Sequence, residues 1–237
     1  MLKIIRSIVF NVLFFSTMFV FLLFGMLLLP FERKYTFIFW YYFSTTLDFL
    51  IQKVAGITYT IEYENNPINS PAIYAVRHES TWETLVLIRH FYQPIFILKK
   101  ELLLIPCFGA LSKKAGAIDV DRENGVRALL DTVKRVEQAI AAGHSVVMFP
   151  EGTRVKPGEH AEIKRGIALF YKKCHCPVVP VVHDSGKFWR RRSFLKYPGN
   201  ITVRFLKPIE PGLSQDEFMK RLNEVFYSAV DDLNKTL

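Results

Sequence analysis

The chain has 237 residues, half of them hydrophobic, a formal charge of +9 and three cysteines. That is enough apolar material for one sizeable core with a surplus, and an odd, low cysteine count argues against a disulfide framework and for a reducing compartment. The basic balance suits nucleic acid, an anionic membrane face or phosphorylated ligands; no recognised nucleic-acid-binding motif is present, which leaves the other two.

The surplus lies at the start. Ser7 to Phe31 carries no charged residue, with Lys3 and Arg6 before it and Glu32, Arg33 and Lys34 after it. As a helix it reaches roughly 35 Å, against a bilayer core about 30 Å thick. The run is too long for a secretory signal, and no small-residue cleavage site follows Pro30, so an uncleaved anchor is predicted. Residues 35–56 are aromatic and mostly apolar, with only Asp48 and Lys53 charged. Trp40, Tyr41 and Tyr42 suit a headgroup boundary. Three readings stay open for this segment: a second embedded helix, a helix on the membrane surface, or a core helix of the domain that follows. Residues 1–55 are therefore expected to form the anchor and 56–237 a separate folded domain.

From Gly56 the pattern alternates. Strands are predicted at 56–64, 71–78, 94–99, 116–122, 144–150, 176–183 and 200–209. Helices are predicted at 80–92, 101–116 (broken at Pro106 and Gly109), 124–143, 163–173 and 213–237, the last capped by Ser214. In the 124–143 helix Val126, Leu129, Leu130, Val133, Val136 and Ile140 share one face. The expected fold class is α/β, with a largely parallel central sheet flanked by helices and an N-terminal membrane-embedded helical segment. Ligands in such sheets gather beyond the carboxyl ends of the strands.

The polar residues that interrupt apolar runs fall at those ends. His78 closes one strand and Glu83 lies early in the next helix. Two positions five apart on one helix sit about 140° apart, so they meet only if His78 lies in the loop and the helix starts near Ser80. Glu83 could then fix the imidazole tautomer. Ser80-x-x-Glu83 is also a capping box, in which the glutamate merely satisfies a backbone N–H. Ser80 has no nucleophile elbow around it. A second cluster is Phe149-Pro150-Glu151-Gly152-Thr153-Arg154: Gly152 permits a tight turn whose N–H groups can face an anion, Thr153 adds a hydroxyl and Arg154 a two-pronged donor. Glu151 is out of place beside a phosphate unless it pairs with a basic group or orients the turn. Lys99, Lys100 and Arg122 are basic groups near other strand ends. Cys174, His175 and Cys176 are too few and too close for a zinc site and read as an exposed turn before a strand. Lys187 to Lys196 mixes basic and aromatic residues, either a contact for anionic headgroups or an acidic carrier protein, or a solvated loop.

Together these stretches resemble the 1-acylglycerol-3-phosphate acyltransferase family. The matching blocks are His78 through Glu83, Lys100 through Gly109, Gly116 through Arg122, the intact 149–154 segment, and Val178-Val179-Pro180-Val181. One departure stands out: the family's usual acid is aspartate, where this chain has Glu83.

The resemblance implies transfer of a fatty acyl chain from acyl-CoA or acyl-ACP to the free hydroxyl of a lysophospholipid, with membrane lipids as neighbours and no metal or organic cofactor. It implies His78 as general base held by Glu83, and Arg122 with Glu151, Gly152, Thr153 and Arg154 as the phosphate site. It also implies residence at a bacterial inner membrane with the catalytic domain cytoplasmic. Alternatives are another acceptor (a lyso-ornithine lipid, glycerol 3-phosphate or another lysophospholipid), a lipid acyl hydrolase, or a non-enzymatic membrane adaptor.

Overall fold

A computed structural model describes residues 2–65, 68–120 and 125–235. Helix α1 (Leu2–Gly25) and α2 (Arg33–Leu50) precede strand β1 (Ile57–Tyr63). Then follow β2 (Ile73–Val76), α3 (Trp82–Val86), β3 (Pro94–Lys99), α4 (Phe108–Lys114), β4 (Ile118–Val120), α5 (Gly125–Ala141) and β5 (Ser145–Met148). The chain closes with α6 (Gly166–Cys174), β6 (Val178–His183), β7 (Gly199–Phe205) and α7 (Gln215–Lys235). The seven strands form one sheet in the order β1-β7-β6-β2-β5-β3-β4. Every neighbouring pair is parallel except β6 with β7. The α/β expectation therefore holds, with β1 and β7 running against the other five.

Both faces of this sheet are covered, which is why its central strands are buried at every position. Alternation sorts the side chains. Ile73, Ala75, Val146 and Met148 join Phe170, Phe218 and Phe226 of α6 and α7 in one cluster. Tyr74, Val76 and Val147 join Phe10 and Phe14 of α1, Phe43 and Leu47 of α2, and Trp82 of α3 in the other. The apolar N-terminal helices thus provide part of the sheet's second covering layer.

Their flanks are fastened by the two arginines that border the uncharged run. Arg6 Nε donates to the carbonyl of Val54, at 2.5 Å, where α2 ends in a π turn. Arg33 donates through Nε and Nη2 to the carbonyl of Ala115, just past α4. Gly56 beside the first contact has φ +69, and a Cβ there would lie 2.3 Å from the Arg6 guanidinium, so the site needs glycine twice over. Asp48 of α2 pairs with Arg89, which also donates to Tyr59 at 2.8 Å, tying α2 to the segment after α3.

Among the described residues the outer face of α1 is uncovered: Phe15, Phe19, Leu23 and Phe24 are each more than half exposed. Lys3–Leu28 is long and apolar enough to cross a membrane. Helix α2 is amphipathic in the same sense. Phe39, Phe43 and Leu47 are buried while Tyr41 and Tyr42 are exposed, so the core-helix reading fits one face and the membrane reading the other.

Several local expectations need correction. The helix expected at 80–92 is α-helical only over Trp82–Val86 and then tightens to 3-10 geometry. Leu130 is 56 % exposed and leaves the apolar face of α5, because 17 residues at 3.6 per turn drift past a stripe drawn with adjacent leucines. The turn at Cys174–Cys176 does precede a strand, yet Cys176 is buried under the sheet. The cap of α7 is reciprocal: Ser214 Oγ accepts from Glu217 N, and Glu217 Oε2 accepts from Ser214 N.

Candidate active site

Parallel pairing brings the carboxyl ends of β2, β3, β4, β5 and β6 to one edge of the sheet. His78 lies two residues beyond β2 and the 149–154 turn begins one residue beyond β5. These strands are neighbours, so segments 70 residues apart in sequence meet.

His78 is in the loop and Glu83 in the first turn of α3, the arrangement needed for contact. His78 Nδ1 donates to Glu83 Oε1 at 2.8 Å. The same oxygen accepts from Ser80 N at 2.8 Å and from Glu79 N at 3.0 Å, and Oε2 accepts from Ser185 Oγ at 3.0 Å. The two readings of Glu83 are therefore both realised by one carboxylate. Burial pushes its pKa up, but the hydrogen bond from His78, the charges of His183 and His78 and the Ser80 N–H outweigh burial and hold it at about 2. The imidazole stacks on Phe149, centroids 4.1 Å apart. With Nδ1 engaged, Nε2 is the nitrogen left to exchange a proton. Ser80 is fully buried and its Oγ accepts from Trp82 N at 3.2 Å, which is a helix-start role rather than a nucleophile's.

The backbone of His78 is held by the second cluster. Its carbonyl accepts from Val155 N at 2.8 Å, and its N–H donates to Glu151 Oε1 at 3.4 Å. Gly152 closes the turn by donating to the Phe149 carbonyl at 2.9 Å, with φ +72. Glu151 points inward: it is buried, lies 3.8 Å from Arg77 and is absent from the groove wall, whereas Gly152, Thr153 and Arg154 line it. Through the hydrogen bond it accepts from His78 N, it braces the turn against the His78 loop rather than facing the groove. Arg122 lies outside the described residues. Lys99 lines the groove.

Sequence reasoning missed the layer beneath. Arg77 is fully buried; its Nε donates to Glu79 Oε1 at 2.6 Å and its Nη2 to the carbonyls of Lys156 and Glu159. Glu79 Oε2 accepts from Gly186 N at 3.0 Å. Charged residues at 77 and 79, inside an apolar strand end, were the available signal, since buried charges need partners.

The groove itself measures about 1440 Å³. Its lining includes His78, Phe149 and Arg154, Phe108, Trp40 of α2 and Met18 of α1. His78, the Gly152–Arg154 turn and a mostly apolar wall that includes residues of α1 and α2 thus share one cavity.

The general acyltransferase family model matches residues 57–184. A 1-acyl-sn-glycerol-3-phosphate acyltransferase from Pseudomonas aeruginosa is 34% identical over 179 residues, covering 74% of this chain and 68% of that protein. The chain belongs to the acyltransferase family. An enzyme with the same name from Cocos nucifera is 29% identical over 167 residues, covering 69% of this acyltransferase and 54% of the plant protein. The crystal structure of the 1-acyl-sn-glycerophosphate (LPA) acyltransferase PlsC from Thermotoga maritima superposes with a TM-score of 0.82 over 100% of this chain and 99% of that one, at 22% identity. That match speaks for the fold.

Proposed function

We propose that this acyltransferase moves a fatty acyl chain from an acyl-CoA or acyl-ACP thioester to the free hydroxyl of 1-acylglycerol 3-phosphate, giving phosphatidic acid. The observation that carries the reading is the 2.8 Å contact of His78 Nδ1 with a buried, ionised Glu83 on the wall of a largely apolar groove. An alcohol is a weak nucleophile near neutral pH and needs a base within hydrogen-bond reach. His78 Nε2 takes the hydroxyl proton as the oxygen attacks the thioester carbonyl. Glu83 fixes the ring and supplies a countercharge while the proton is held. The tetrahedral intermediate collapses with loss of the C–S bond, and the departing sulfur receives the proton from His78. The acyl chain passes directly to the acceptor without a covalent enzyme intermediate, in keeping with the capped, buried Ser80.

The acceptor's phosphate is assigned to Gly152, Thr153 and Arg154 on the groove wall, with Arg122 as a further cation. Glu151 supports the turn from behind. The chemistry calls for no metal or organic cofactor. Residues 1–55 act as the anchor and 56–237 as the catalytic domain, at a bacterial inner membrane with the catalytic side cytoplasmic; the exposed apolar face of α1 and the three free cysteines support this location.

The test uses full-length protein in nanodiscs with acyl-CoA and acyl-ACP, offered lysophosphatidic acid, glycerol 3-phosphate, a lyso-ornithine lipid and lysophosphatidylethanolamine. Phosphatidic acid from the first acceptor is expected, and His78→Ala should lower the rate at least about a hundredfold while nanodisc association persists. Faster turnover of another acceptor would move the assignment to it. Acceptor-independent release of fatty acid would make the protein a hydrolase.

A further inference from the structure

We infer that Arg191 is a second guanidinium of the acceptor's phosphate site, acting with Arg154 to favour a phosphomonoester dianion over a phosphodiester headgroup. This rests on the proposed transfer to a phosphate-bearing acceptor. Arg191 comes from the loop between β6 and β7, yet its Nη1 donates to the backbone carbonyl of Arg154 at 3.3 Å. Arg154, Arg191 and Arg192 line the same groove as His78, Gly152 and Thr153.

Two features indicate an anion there. Eight arginine and lysine side chains line the groove, and among the described residues no aspartate or glutamate does. Arg89, Lys34 and Lys164 among these have carboxylate partners elsewhere. Among the described residues Arg154 and Arg191 have none within ion-pair distance. In addition, Arg154 Nε is buried and meets no hydrogen-bond acceptor among the described residues. Burial lowers the Arg154 pKa, Glu83 raises it and the neighbouring Arg191 lowers it again. Arg154 is half-buried and Arg191 exposed, and the repulsion between these neighbouring like charges costs free energy that a bound anion offsets.

The charge count points to the class. A phosphomonoester carries about −1.5 to −2 near neutral pH, whereas a phosphodiester carries a single charge. Two planar guanidinium forks supply paired donors to such a group. The loop that carries Arg191 is also sewn to the apolar N-terminal helix: Lys196 N donates to Ser7 Oγ at 3.0 Å and Asn11 Nδ2 to the Phe194 carbonyl at 3.0 Å. The second cation is thereby held at a set position relative to α1, where a lipid headgroup would enter.

Acyl-CoA also carries phosphates, so the experiment separates donor from acceptor. Wild type, Arg191→Ala, Arg191→Lys and, as a control off the groove wall, Arg190→Ala are assayed in nanodiscs with lysophosphatidic acid and with lysophosphatidylglycerol. Arg191→Ala should raise the KM for lysophosphatidic acid about tenfold, the loss of one charge-assisted contact. The donor KM and kcat should stay within about twofold of wild type, and the monoester-over-diester preference should shrink by a similar tenfold. Arg191→Lys should recover part of the loss and Arg190→Ala none of it should show. A purely structural role would lower thermal stability or kcat and leave the discrimination intact, which overturns the inference, as does a KM change confined to the donor. Wild type inactive on lysophosphatidic acid would sink the acceptor assignment and this inference together; active wild type with an unchanged Arg191→Ala would sink the inference alone.

Discussion

Arg77 Nη1 and Glu151 Oε1 face each other 3.8 Å apart, both side chains fully buried, without forming a hydrogen bond. Arg77 is instead committed to Glu79 at 2.6 Å. Burial therefore dominates at Glu151: its pKa is pushed up to about 8, against the opposing pulls of the 151 and 78 backbone N–H groups and of Arg77. The folded protein binds that proton more tightly than the unfolded chain does. Stability from this group is fully present below the ordinary carboxylate range and is lost as pH rises through about 8. Glu83 has the opposite sign. Held at about 2, it contributes stability above the ordinary range that is lost as pH falls toward about 2. Thermal melts across pH should show both limbs, and Glu151→Gln should flatten the alkaline one only. An unchanged alkaline limb in that variant would mean Glu151 is ionised throughout.

Glu83 serves two jobs with one oxygen, so its substitution should cost both rate and stability. Glu83→Gln should lower kcat about a hundredfold or more and unfolding free energy by about 1–3 kcal/mol, measured by steady-state assay and denaturant titration. Glu83→Asp should keep part of the rate, its shorter arm straining to reach the N–H groups of 79 and 80. A Glu83→Gln protein with full rate and a depressed melt would reduce Glu83 to a helix cap.

The Arg77–Glu79 pair lies directly under the proposed base. Arg77→Met strands a buried carboxylate and should cost about 3–5 kcal/mol. Adding Glu79→Leu should restore much of that stability, because a buried pair exchanged for apolar side chains is often neutral. Activity should stay low in the double variant, since Gly186 N and the carbonyls of Lys156 and Glu159 lose their ties. If the double variant is no more stable than the single one, the two carbonyl contacts outweigh the charge pairing.

The two faces of α1 should separate in experiment. Phe14→Ala opens the cluster with Phe10 and Trp189, ring centroids 5.4 Å apart, and should cost about 3–5 kcal/mol in detergent. Phe19→Ser with Phe24→Ser changes side chains that are 67 % and 63 % exposed. It should leave the detergent melt alone and weaken flotation with liposomes. Equal effects of both on the melt would show that the outer face also packs on protein.

Much was legible in the sequence. The strand–helix alternation, the apolar start, the His78–Glu83 spacing and the 149–154 turn are all local patterns, and the parallel sheet followed from their order. Ser185 was not picked out, because nothing near it says what it touches; Arg77 and Glu79 pair across two positions, but their burial and their ties to Lys156, Glu159 and Gly186 lie far along the chain. Glu151 was half legible: its misfit beside a phosphate was plain, and its partner Arg77, 74 positions earlier, was not.

Short-range chemistry is written in the sequence by itself: which segments repeat every two or every 3.6 residues, where a glycine must turn, and which histidine has an acid within reach. Only the tertiary structure decided that α1 and α2 help cover one face of the sheet, and that Arg191 meets Arg154. It likewise decided that Arg77 anchors the loop holding His78. Those contacts join residues tens to nearly two hundred positions apart. Strand order and the burial of complementary faces bring them together, and no periodicity along the chain encodes either.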